Sequence, residues 1–234
     1  MAKQKKYEFT GEKIYIKRYL VLHQIRALID IPLHNVKKGD VGGYIQKQRN
    51  LSHDENAWIA DEAKVYGDAQ VYNDALVKGI AIVKDNALIS GKSVIDETVN
   101  ISGSSLITSS KISGLTNVEG NAEIFDSEIG KSSVGKSSPF KKLACTISGS
   151  ASIKDSAIWH DGRILVTDHA SLTKGVLVFG SDVVIKGCAQ VVGNCVIKDK
   201  TILEELCYVE NKGKEDFTLF HESVNGNTKI VVLD

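Results

Sequence analysis

Proline is almost missing from this chain: Pro32 and Pro139 are the only two in 234 residues. Turns must therefore come from Gly, Asn and Asp rather than from a ring that fixes φ. Aromatic side chains are sparse as well, with seven Tyr, six Phe and two Trp, so a core has to be aliphatic. Neither charge sign is in excess, since Lys plus Arg and Asp plus Glu both number 29. A balanced chain lacks the basic footprint that a DNA or RNA duplex requires. The four cysteines (Cys145, Cys188, Cys195 and Cys207) form no C-x-x-C pair, so no metal site is expected. No uncharged apolar run approaches the roughly 20 residues that cross a bilayer. The start, MAKQKKYEFTGEK, is basic without an apolar run behind it, unlike a secretory signal. These absences predict a protein of a reducing cytoplasm, with neither a membrane nor a nucleic-acid duplex as partner.

What is present is a period of six. From Ala57 the chain divides into AWIADE, AKVYGD, AQVYND, ALVKGI, AIVKDN, ALISGK, SVIDET, VNISGS and SLITSS. The third place is aliphatic in every block, from Ile59 through Val65, Val71, Val77, Val83, Ile89, Ile95 and Ile101 to Ile107. If about a quarter of positions are aliphatic, chance would do this roughly once in a few hundred thousand starts. The first place is small, usually Ala, and blocks end in turn pairs such as Gly67-Asp68 and Asn73-Asp74. Six is not a helical period, nor simple alternation. It fits a short strand and a tight corner: the aliphatic side chain points inward, and the small residue two places earlier sits where the chain bends. Three blocks close a coil of about 18 residues, and coils stack at the strand spacing. The expected fold is mainly β: a single-stranded left-handed parallel β-helix of hexapeptide repeats, with small β-rich caps at both ends.

The frame slips after Ile107 and resumes at Ile112, Val118 and Ile124. Residues 130–142 interrupt it as a loop insertion. It returns at Ile147 and Ile153, with Cys145 and Ala151 at the small positions. Trp159 is expected next in the bore, with His160 facing outward. One-residue insertions near His169 and before Ile185 lead to Leu172, then to Ile185, Val191, Ile197 and Leu203. The β-helix is thus expected over 57–203, roughly seven to eight coils. Residues 1–56 form a β-rich cap, and residues 204–234, with their Asn225-Gly226 pair, a β-hairpin cap.

The insertion contains GKSSVGKSS, which satisfies G-x-x-x-x-G-K-[ST] at Gly130, Gly135, Lys136 and Ser137. A working phosphate loop joins a buried strand to a helix. Here the hexapeptide pattern returns instead, as CTISGS and ASIKDS. The chain is therefore not expected to be a P-loop nucleotide hydrolase. The loop reads as a basic finger, with Lys131, Lys136, Ser137, Lys141 and Lys142 available to an anionic ligand and Trp159 close by.

The run from Leu22 to Ala75 carries a resemblance. Ile25, Ala27-Leu28, Asp30, Val36-Lys37, Gly39, Gly42-Gly43-Tyr44-Ile45, Leu51-Ser52 and Trp58 precede the Val-Tyr-Gly-Asp-Ala repeat. This stretch resembles the opening of an acetyltransferase-like family of hexapeptide-repeat proteins found in enterobacteria and widely in phages. The specific likeness covers about residues 5–80. It implies a homotrimer. Were the chain an acyltransferase, acetyl-CoA would be the cofactor, His160 the general base toward an acceptor and Asp161 or Asp168 the group orienting its ring. No CoA-binding signature is visible at the C-terminal end. The reading favoured over that alternative is a non-catalytic, phage-type binding protein without a cofactor. It would hold a host protein or a small anion such as a signalling nucleotide, in an anti-defence role.

Overall fold

A computed structural model of the chain describes residues 5–131, 145–160 and 162–233. It contains two compact units, Met1–Ser110 and Lys111–Asp234. In both, the chain winds through three parallel sheets in turn, so the fold is a single-stranded parallel β-helix. Among the described residues the only helices are two 3-10 turns, Pro32–His34 and Gln48–Asn50. None is long and apolar enough to cross a membrane.

The first unit holds three regular coils. Its first wall is Trp58–Ile59, Leu76–Val77 and Val94–Ile95. The other two walls are made by the intervening and following strands of two or three residues, paired 18 residues apart, as Lys64 with Ile82 and Gln70 with Leu88. Every third-place aliphatic from Ile59 to Ile107 is 0% exposed, and so is every small residue two places before it. Such dryness requires each coil to cover the next, since one turn cannot bury its own apolar face. Corners at Asn73 and Asp85 take positive φ, at 59° and 63°, which explains the turn pairs. Outward side chains stack in register: Lys78 reaches Asp96 at 2.8 Å, and Ser90 shares a hydrogen bond with Thr108 at 2.9 Å.

The N-terminal residues pair with the first coil. Tyr7–Lys17 and Leu20–Ala27 pair antiparallel, Val41–Ile45 joins Leu20–Ala27, and Tyr44-Ile45 then pairs in parallel with Lys64-Val65. Gly42 and Gly43 permit that contact. A Cβ on Gly42 would lie 2.5 Å from the carbonyl oxygen of Ile59, and one on Gly43 would lie 2.6 Å from that of Ala63. Beneath this cap lies a polar cluster. The Lys6 ammonium, 1% exposed, donates to the carbonyls of Asp54 and Glu55 at 3.3 Å each. The Lys6 amide donates to His53 Nδ1, and the His53 ring stacks on Tyr7. Burial pulls the Lys6 pKa down to about 8, against partial support from Asp54, Glu55 and Asp74.

The second unit holds six coils. Its bore residues run from Ile112, Val118 and Ile124 to Leu219, Val224 and Ile230. The hairpin expected near the C-terminus is replaced by further coil. Phe217–Phe220, Ser223–Val224 and Lys229–Val232 each pair in parallel with the strand one coil earlier. Asn225-Gly226 is a corner of that coil, with Gly226 at φ 66°. The physical reason is the restored period: Ile230 follows Val224 by six. A ten-residue gap between Val209 and Leu219 hides the continuation.

Candidate functional site

The first wall of the second unit differs from its other walls. Five of its six strands have four residues: Glu128–Lys131, Ala157–His160, Leu177–Gly180, Cys195–Lys198 and Phe217–Phe220. The bore spacing explains part of this length. Ile124 to Ile129, Ile153 to Ile158 and Leu219 to Val224 are five apart rather than six. The corners before the wall are correspondingly tight, with Asp126 at φ 45° and Asp155 at φ 48°. A longer strand presents two outward columns instead of one.

One column is Glu128, Ala157, Leu177, Val196 and Thr218, with Glu128 paired to Lys111 at 3.1 Å, and the other is Gly130, Trp159, Phe179, Lys198 and Phe220. Trp159 and Phe179 are half-buried, Lys198 is exposed and Phe220 is 51% exposed. A Cβ on Gly130 would make ordinary contact with the Trp159 ring, at 3.4 Å, and would crowd Ser113 Oγ, at 2.9 Å. Phe220 stacks on His221 with centroids 4.0 Å apart. The result is a flat aromatic and aliphatic surface crossed by one ammonium, Lys198.

The structure moves two residues from their expected places. Ile158, not Trp159, occupies the bore, between Ile129 and Val178. The five-residue step from Ile153 brings the chain to the wall one position early. His160 consequently does not face outward: it is 2% exposed, with Lys131 and Gly180 as its register partners. An imidazole covered in this way does not meet an acceptor hydroxyl in the conformation described. Asp161, Lys136, Ser137, Lys141 and Lys142 lie outside the described residues, as does the Lys131 side chain, although the Lys131 backbone ends the strand Glu128–Lys131. Asp155 and Asp168 are corner residues, and Asp168 accepts a hydrogen bond from the Gly187 amide at 3.0 Å.

Cys145 and Cys195 sit at the small-residue corners. Burial pushes their thiols up to about 12 and about 11, which leaves them fillers rather than nucleophiles. Phe179, Lys198 and Phe220 escape a rule of 18-residue stacking, because they follow one another at 19 and 22 residues. Only the strand register aligns them with Trp159.

The fold and this wall define a single-stranded parallel β-helix with an aromatic outer face. No protein-family model matches the chain, and a search of curated proteins returned no match.

Proposed function

We propose that this chain is a non-catalytic binding protein of the phage type its N-terminal residues resemble. It acts in the bacterial cytoplasm and holds an anionic small molecule with a planar group, a signalling nucleotide being the natural class. The observation that carries this reading is the outward column Trp159, Phe179, Lys198 and Phe220. Aromatic faces bind planar bases with about 1–3 kcal/mol per stacked base, and an ammonium beside them supplies the point charge a phosphate needs. The sequence adds Lys131 at the end of the strand beside Trp159, and Lys136, Lys141 and Lys142 later in the sequence. A homotrimer is the assembly that the resemblance suggests, and an acetyl-CoA-dependent acyltransferase is the alternative chemistry.

Tryptophan fluorescence tests the proposal. Trp58 is 1% exposed, so an added ligand reports mainly through Trp159. Cyclic, mono- and dinucleotides and acetyl-CoA are titrated in turn, and an affinity capture is run from bacterial lysate. A saturable nucleotide quench, lost in Trp159→Ala and about tenfold weaker in Lys198→Ala, supports the reading. Silence across the panel overturns the small-anion reading, and a specifically captured protein would then identify a host protein as the ligand. Acetyl-CoA binding with transfer to an acceptor replaces it with the acyltransferase.

A further inference from the structure

The outward column of Trp159 begins with a hydroxyl and a gap. Ile112 pairs with Ile129, so Ser113 precedes Gly130 by one rung in the column that continues through Trp159 and Phe179 to Lys198. Gly130 has no side chain to fill its rung, yet it is buried. Its two neighbours in the column stand over it. Ser113 Oγ and the Trp159 atoms Cζ3 and Cε3 would be the nearest atoms to a Cβ at this position, at 2.9, 3.4 and 3.7 Å. The benzo edge of the indole thus lies toward Gly130, and the Ser113 hydroxyl flanks the same point. Gly130 does not take positive φ, so the backbone itself does not call for glycine here. The Ser113 carbonyl accepts from Thr116 Oγ1 at 2.8 Å, while the Ser113 hydroxyl has no partner among the described residues.

Two rungs beyond Trp159 stands Lys198. Lys111, Lys154 and Lys186 of the same unit each hold a glutamate, whereas Lys198 is exposed and has no ion pair among the described residues. The carboxylate of Asp199 beside it is engaged by the Ser181 amide at 2.8 Å. The order along the wall is therefore hydroxyl, glycine, indole, phenyl, ammonium. Four rung steps separate Ser113 from Lys198, roughly 19 Å at the strand spacing.

We infer that this order makes the wall selective for purine over pyrimidine nucleotides, with Ser113 and Gly130 as the specificity-determining positions. The inference rests on the nucleotide reading above. A base stacked on the indole extends its edge over Gly130 to the Ser113 hydroxyl. That hydroxyl both donates and accepts, so it serves adenine and guanine alike. The sugar then lies along Phe179 and the phosphate meets Lys198, whose flexible stem takes up the remaining distance. The two fixed ends act as a ruler. A purine has a second ring between the ribose and its hydrogen-bonding edge. A pyrimidine is one ring shorter, so while stacked it reaches Ser113 or Lys198 but not both. Stacking acts in the same direction, because two fused rings cover more of the aromatic surface than one.

Calorimetric titration of the full chain tests this with ligands that differ only in the base: adenosine against uridine 5′-monophosphate, and the dinucleotide ApA against UpU. The adenine ligands should bind about tenfold more tightly. Ser113→Ala deletes a hydroxyl that bonds nothing within the chain, and Gly130→Ala places a methyl against it. Each should cut the preference to about threefold, leaving uracil binding and circular dichroism unchanged. Equal affinities in the wild type overturn the inference and leave the nucleotide reading in place. So does a tenfold preference that survives in both folded variants. Silence toward all four ligands removes the nucleotide reading and the inference together.

Discussion

The coils of residues 57–107 and those after Lys111 fill their bores alike, with buried aliphatics, but obey different rules outside them. In the first set, nine consecutive bore residues are spaced by six, the first-wall strands are two residues long, and the corners are mostly alanine. In the second set, spacings of five, six, seven and eight occur, the corners hold Ile164, Val176, Val183 and Thr201, and the first wall lengthens to four residues. The bore nevertheless stays dry through Val209 in both. Stacking therefore constrains what points inward far more tightly than how many residues connect two rungs. Freedom in the corners is what allows one wall to lengthen and to carry Trp159 and Phe179.

The sharpest test of this comparison is a pair of adjacent substitutions. Ile158→Asp places an unpaired carboxylate in the bore and should remove on the order of 4 kcal/mol or more, enough to unfold the second unit. Trp159→Asp falls on the outer wall and should cost about 1 kcal/mol or less. Urea unfolding followed by circular dichroism separates the two. Reversal of the order would return Trp159 to the bore and dissolve the proposed aromatic wall.

The cap of the first unit supplies the next effect. The folded Lys6 releases its proton near pH 8, while the unfolded chain keeps it until about 10.5. Between these values the unfolded state binds more protons, so stability rises with pH across that window. The burial penalty is fully present below pH 8. Lys6→Met lacks the titration, so the wild type should gain on the order of 2 kcal/mol relative to Lys6→Met between pH 8 and 10. Thermal unfolding at matched pH values measures the difference, and parallel profiles would show that the ammonium is not buried.

Much of this architecture could be read from residues alone, and the exceptions have physical causes. The period of six identified the bore from Ile59 to Ile107 and, through the later insertions, Leu172, Ile185, Val191 and Ile197. Cys145 and Cys195 were recognisable as corner fillers because they stand two places before Ile147 and Ile197. Trp159 was misplaced because one tight corner at Asp155 shortens the step, and a local pattern cannot distinguish a five-residue corner from a six-residue corner with a bulky filling. The ten-residue gap before Leu219 concealed the last coil. The Lys6 cluster was invisible, since Lys6 meets carbonyls 48 and 49 residues away. The aromatic column needed the register, which sums every insertion between Trp159 and Phe220.

The corners offer a smaller, two-sided test. Ala75 and Val176 both stand two places before a first-wall bore residue, Val77 and Val178, and both are fully buried. If each corner has grown to fit its own filler, Ala75→Val overpacks and Val176→Ala leaves a void. Both should then destabilise, by about 1–3 kcal/mol and about 1–2 kcal/mol respectively. Neutral behaviour of Ala75→Val in a urea titration would mean that the regular coils have room to spare, and that their alanines reflect the turn rather than the space.

The smallest effect concerns the backbone. Asn73 and Lys174 occupy the bend between the third and first walls of their units, with φ of 59° and 65°. Asparagine tolerates the left-handed region, whereas lysine is held there against its preference. Lys174 is exposed, so little besides the backbone should respond to its exchange. Lys174→Asn should stabilise by about 0.5 kcal/mol, and Asn73→Lys should destabilise by a similar amount. Both should shift the urea midpoint without changing its slope. Equal and opposite shifts would show that regular and irregular coils turn this corner by the same geometry. A silent Lys174→Asn would show that the neighbouring Gly175, at φ 90°, already absorbs the bend, and that the second unit solves its corners in a different way.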